Sequence, residues 1–167
     1  MSDAVLDAGP LIHLAELNAL DVLSDFDVLR VPPAVWQEVT EHQPKAFSYS
    51  GLRLEQTEQQ FPSVELTALT QVFSLDRGEI EALALMEKYP QALFLTDDAA
   101  ARLAAEESGC KVHGTIGLLV RAVRKRHRKP EEVLDLLKNL DRRSSLHIRP
   151  VLVKRVIAQL EKEWLRE

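Results

Sequence analysis

Short apolar runs alternate along this chain with stretches of helical periodicity, and few folds accommodate that order. Ala4-Val5-Leu6 is stopped by Asp7-Ala8-Gly9-Pro10, after which Leu11, Ile12, Leu14, Ala15 and Leu17 recur at helical spacing and Leu20 to Leu23 carry the helix on. Asp25-Phe26-Asp27 breaks it. Val28 to Val31 reads as a second strand ending at Pro32-Pro33, and Pro33, favoured in a first helical turn, starts a helix through Val35, Trp36, Glu38 and Val39 to about His42. Gln43 to Gln60 is polar and reads as loop with one strand near Gly51 to Glu55. A helix from Ser63 to Phe73, capped by Ser63, precedes a break at Leu75 to Gly78 and a second helix, Glu79 to Lys88. Ala92 to Leu95 is the clearest buried strand. It runs into Thr96-Asp97-Asp98 and then a helix from Ala99 to Glu107, closed by Gly109. Lys111 to His113 reads as the last strand, followed by helices Leu118 to Arg126, Glu131 to Leu140 and Val151 to Leu165.

Strands separated by helices in this way cannot pair as hairpins; they form a parallel sheet covered on both faces. With 167 residues, 46% of them hydrophobic, the chain suits a single domain over 1–167, with a core of about 1–126 and a helical extension of about 130–165. The one cysteine, Cys110, can form neither an internal disulfide nor a zinc cluster, which fits a reducing compartment. No apolar run approaches the roughly 20 residues of a membrane span and acids stand near the N-terminus, so cytoplasm is the expected location.

In an open parallel sheet, ligands bind beyond the carboxyl ends of the strands, where the strand order reverses. Asp7 and the Asp97-Asp98 pair fall at such ends. Neighbouring carboxylates repel, and a hard divalent cation with oxygen ligands relieves that repulsion. The plainer alternative is that Asp7 and one of Asp97 and Asp98 only cap helices, and that Glu38 and Glu79 lie on solvated helix faces. The metal reading rests on all of them together.

That ordered set, Leu6-Asp7-Ala8-Gly9-Pro10-Leu11-Ile12, Val31 to Glu38, Asp76-Arg77-Gly78-Glu79-Ile80-Glu81-Ala82 and Phe94-Leu95-Thr96-Asp97-Asp98, resembles the PIN-domain family over the chain to about Gly117. With Gly114-Thr115-Ile116-Gly117-Leu118-Leu119, it is similar to a PIN-like branch found among prokaryotic toxin-antitoxin and stand-alone ribonucleases. The resemblance implies a three-layer α/β/α sandwich with a central, mostly parallel sheet, and hydrolysis of RNA with Mg²⁺ or Mn²⁺. It makes Asp7, Glu38 and Glu79 the first three catalytic and metal-binding acids. The fourth lies in Thr96-Asp97-Asp98. Asp98 is favoured because the family commonly shows Thr, any residue, then Asp; Asp97 stays open, as does Glu81 in place of Glu79. It also implies an RNA substrate, a small antitoxin partner and a homodimer. One departure is Gly9, where many members carry Ser or Thr.

The net charge is -5, yet Arg121, Arg124, Lys125, Arg126, Arg128 and Lys129 form a run of cations, with His127 and without an acid. A helix C-terminus favours some of that charge; phosphate contact is the added role expected here. Nucleophilic catalysis lacks a G-x-S-x-G elbow, and a dinucleotide site lacks G-x-G-x-x-G after the first strand. His13 and Trp36 read as packed side chains. The alternative to a nuclease is a catalytically silent PIN-like module that binds or assembles, through the helix Val151 to Leu165; Gly9 favours it.

Overall fold

The computed structural model describes residues 2–165. Strand β1 (Ala4–Leu6) leads into helix α1 (Ala8–Glu16), a 3₁₀ turn at Leu20–Leu23, β2 (Leu29–Val31) and α2 (Pro33–His42). A 3₁₀ turn at Pro44–Ser48, β3 (Leu54–Gln56), α3 (Val64–Val72) and α4 (Arg77–Lys88) follow, then β4 (Leu93–Leu95), α5 (Ala99–Glu107), β5 (Val112–His113) and α6 (Thr115–Arg124). The chain ends with α7 (Pro130–Lys138), the single turn α8 (Leu140–Arg143) and α9 (Pro150–Trp164). The five strands pair in the order β3-β2-β1-β4-β5, all parallel.

Register divides the core between the two faces. Ala4, Leu6 and Leu95 face a cluster built with α1, α2, α6 and α7; Val5 and Phe94 face a second cluster built with α4 and α5. All five residues are fully buried, so β1 and β4 read as continuous apolar runs rather than alternating ones. The result is the expected α/β/α sandwich around a parallel sheet, with extra helices at the C-terminus. Among the described residues no helix is long and apolar enough to cross a membrane.

Several boundaries differ from the sequence reading, each for a local reason. Helix α1 starts at Ala8, immediately after Asp7, and Pro10 lies within its first turn, where a missing N–H costs no hydrogen bond. It stops at Glu16 because Asn18 takes a left-handed φ of 54°, and Leu20–Leu23 is a separate 3₁₀ turn. Helix α6 begins at Thr115, three residues before the apolar stripe, since Asp97 accepts the Thr115 N–H. The predicted Glu131 to Leu140 helix ends at Lys138, and Leu140 opens the separate turn α8. Trp36 is packed as expected, stacked on Phe47 with ring centroids 4.1 Å apart.

Going from β1 through β2 to β3, the chain winds to one side of the sheet, then returns to lay β4 and β5 on the other. The reversal falls between β1 and β4, where helices leave toward opposite faces and a crevice opens at the strands' carboxyl ends. Asp7 follows β1 there, its N–H donating to the Leu95 carbonyl at 2.9 Å, and Thr96-Asp97-Asp98 follows β4.

Candidate active site

A cleft of about 360 Å³ at that reversal is lined by six carboxylates: Asp7, Glu38, Asp76, Glu79, Asp97 and Asp98. They arrive from four helix segments and the loop after β4. Asp7 caps α1, Glu38 lies within α2, Asp76 and Glu79 form a reciprocal capping box at the start of α4, and Asp98 caps α5. Capping and lining the cleft are therefore not alternatives here. The amino ends of α1, α4 and α5 all open on the cleft, and their unpaired N–H groups favour negative charge.

Asp7 is 7% exposed, with Oδ1 accepting from the Ala8 N–H at 2.9 Å and Oδ2 from the Thr96 hydroxyl at 2.7 Å. Burial pushes its carboxyl up to about 6 against those two hydrogen bonds, and repulsion from Asp76 and Glu38 adds to the rise. Glu79 is pushed further, to about 8, by burial and by the charges of Asp76, Asp98 and Asp7, although Oε2 accepts the Asp76 N–H at 3.1 Å. Burial and Asp76 also raise Glu38. The acids share the cleft without meeting at a point: among the described residues, no three His, Cys, Asp or Glu side chains stand close enough to hold a metal ion as they are. Four of the six are tied to helix ends, which holds them apart.

Packing decides two points that the sequence left open. Asp98, not Asp97, is the cap of α5: its Oδ2 accepts the Ala101 N–H at 2.8 Å. Asp97 instead accepts the Thr115 N–H at 2.7 Å through Oδ1 and faces the Thr115 hydroxyl and His13 Nδ1 through Oδ2, at 2.5 and 2.7 Å. Glu81 does not join the cleft. It is 2% exposed, accepts the Ala34 N–H at 2.9 Å and Arg77 Nε at 3.0 Å, and so ties the start of α2 to α4.

Four participants escaped sequence reasoning. Asp76 had a legible signal, because Asp-x-x-Glu before an apolar helix is a capping-box pattern. Thr96 stood in the Thr-x-Asp pattern, but Thr115 and His13 had no signal, since each meets Asp97 from 18 and 84 residues away. His13 was read as merely packed; it lines the cleft. Its pairing with Asp97 also accounts for Gly9. A Cβ there would lie 3.3 Å from Asp97 Cβ and 3.5 Å from His13 Cε1, so a larger side chain would press on that pair.

The basic run lies at the far end of α6 from Thr115, about 15 Å away along a ten-residue helix. Half of it is engaged within the fold. Arg121 makes two bonds to Asp25 at 2.8 and 2.6 Å, Lys125 reaches the same carboxylate at 3.1 Å, and Arg128 clasps Asp21 at 2.9 and 2.6 Å. Arg121 and Lys125 hold Asp25 down at about 2 despite its partial burial. Arg124, Arg126 and Lys129 stay exposed.

A family model described as PIN domain matches residues 3–162. No curated protein matches the chain. Among solved structures, a PilT N-terminus domain protein from the hyperthermophilic archaeon Sulfolobus solfataricus P2 is similar, with a TM-score of 0.55 and 16% identity over 72% of this chain and 93% of that one. At that identity the likeness speaks for the fold.

Proposed function

This chain belongs to the PIN-domain family, and on that premise we propose that it is a metal-dependent ribonuclease. The observation that carries the reading is the cleft itself: six carboxylates gathered where a parallel sheet reverses, two of them lifted to about 6 and about 8 by burial and mutual repulsion. Such crowding is unfavourable unless a cation enters. The donor set fits one, because every acid offers oxygen and none offers sulfur, the preference of Mg²⁺ and Mn²⁺.

Asp7, Glu38 and Glu79 would hold the ion, with Asp98 or Asp97 completing the set. A bound divalent ion would supply an acidified water and neutralise charge on the scissile phosphate. The chain's own residues do the rest. Thr96 fixes the rotamer of Asp7 and leaves the carboxylate's remaining lone pairs toward the cleft. The Asp76 N–H holds Glu79 by one oxygen. His13, against Asp97 at 2.7 Å, orients that carboxylate at the wall of the cleft.

Purified protein should cleave RNA with Mg²⁺ or Mn²⁺ and not with Ca²⁺ or EDTA, because Ca²⁺ coordinates too loosely to position in-line attack. Asp7→Asn should remove the cleavage. Equal background cleavage by wild type and variant under every metal would end the ribonuclease reading and favour the silent module.

A further inference from the structure

A second groove, of about 630 Å³, adjoins the acidic cleft and shares Asp97, Leu146 and His147 with it as lining. Its volume lies within the roughly 300–1,000 Å³ of ordinary ligand clefts. Its character is the reverse of its neighbour's. Arg102 of α5 and Arg149, at the start of α9, line it, and no carboxylate among the described residues pairs with either. Leu103 and Leu152, 52% and 50% exposed, offer apolar surface beside them.

Gly114 makes the junction passable. A Cβ on it would lie 2.8 Å from Asp97 Oδ1 and 2.9 Å from Arg102 Nη2, so a side chain there would displace the acid and the cation that flank the junction. Resting on the ribonuclease reading above, we propose that this groove is the substrate's track: Arg102 and Arg149 bind backbone phosphates of a single-stranded RNA flanking the bond held at the acids, and Leu103 and Leu152 contact its bases. A polyanion crossing an acidic cleft needs cations on its flank, and these two are unpaired, whereas Arg121 and Arg128 are clasped by Asp25 and Asp21. Phosphate contacts position a strand without reading its sequence, so the track gives register rather than sequence choice.

The test is binding of a fluorescein-labelled ten-nucleotide oligouridylate in EDTA, followed by anisotropy across a salt series, for wild type, R102Q/R149Q and R124Q/R126Q. The groove variant should bind about tenfold more weakly, with a plot of log affinity against log salt shallower by roughly 1.4, at about 0.7 per lost phosphate contact on a single strand. R124Q/R126Q should stay within about twofold of wild type. Thermal unfolding of each variant checks that the fold is kept. The proposal is overturned by an unchanged slope in R102Q/R149Q, by a loss confined to R124Q/R126Q, or by wild type failing to bind at low salt. Displacement of the RNA by hexaglutamate as readily as by unlabelled oligonucleotide would also overturn it and reassign the groove to an acidic peptide. Cleavage with Mn²⁺ is scored separately. Binding that depends on the groove without cleavage defeats the ribonuclease reading and leaves the track, and cleavage with an unchanged slope does the opposite.

Discussion

Thr96 Oγ1 donates to Asp7 Oδ2 at 2.7 Å across 89 residues of sequence, with Thr96 fully buried and Asp7 nearly so. The same hydroxyl oxygen accepts the Asp98 N–H at 3.1 Å, so one side chain links the acid after β1 to the loop after β4. Thr96→Val preserves shape and removes both bonds. It should destabilise the protein by about 2 kcal/mol, since a hydrogen bond to a charged group is worth about 1.5–3 kcal/mol when its acceptor is buried. Chemical denaturation measures that loss, and Mn²⁺ affinity should fall with it as Asp7 loses its orientation.

Metal should act on stability through the same cluster. Millimolar Mn²⁺ should raise the melting temperature, because a ligand selective for the folded state stabilises it by mass action. Asp7→Asn should abolish the shift. Superimposable melting curves for wild type in Mn²⁺ and in EDTA would remove the metal site.

The pH dependence has an unusual sign. Asp7 and Glu79 carry folded values of about 6 and about 8, above their ordinary values of 3.8 and 4.5. Groups raised in this way hold more protons folded than unfolded, so their contribution is present below about pH 4 and is lost as pH climbs through 6 toward 8. In EDTA the melting temperature should therefore fall between pH 5 and pH 8, on the order of 5 °C for a chain of this size. Mn²⁺ should cancel the fall by occupying the ionised carboxylates. Glu79→Gln in EDTA should flatten most of it, and should leave the protein at least as stable as wild type at pH 8 while eliminating cleavage.

Asp97 and Asp98 should separate by mutation in a pattern their adjacency conceals. Asp98→Ala removes the cap of α5 and should cost about 1 kcal/mol, whereas Asp98→Asn keeps a competent cap and should cost little. Asp97→Asn disturbs the contacts to His13 and Thr115 and should lower cleavage without that cap penalty. Unchanged stability in Asp98→Ala would contradict the hydrogen-bond pattern.

Arg121 is better placed to hold the fold than to hold phosphate. Its guanidinium makes two bonds to Asp25 and lies 4.3 Å from the centre of the Phe26 ring. Arg121→Gln should cost about 1–2 kcal/mol in a denaturant titration and leave the salt dependence of RNA binding unchanged.

Apolar periodicity is a local property, and it alone carried the element order, the parallel sheet and the positions of Asp7 and Asp97-Asp98 at strand ends. Even there, ends shifted by a few residues where a distant group intervened, as Asp97 does in starting α6 at Thr115. Glu38 and Glu79 were legible only through the ordered pattern of motifs, since a single Glu on a helix carries no sign of where the helix will pack. Everything that depends on who meets whom belonged to the tertiary structure. Packing chose Asp98 as the cap, turned Glu81 away to the start of α2, added Asp76 and His13 to the cleft with Thr96 and Thr115 bonded behind Asp7 and Asp97, and paired half of a basic run with Asp21 and Asp25. The physical reason is range. A helix or strand is decided by neighbours within a turn or two, whereas a hydrogen bond or ion pair between side chains about 90 or 100 residues apart exists only once the sheet has fixed their separation to a few tenths of an ångström.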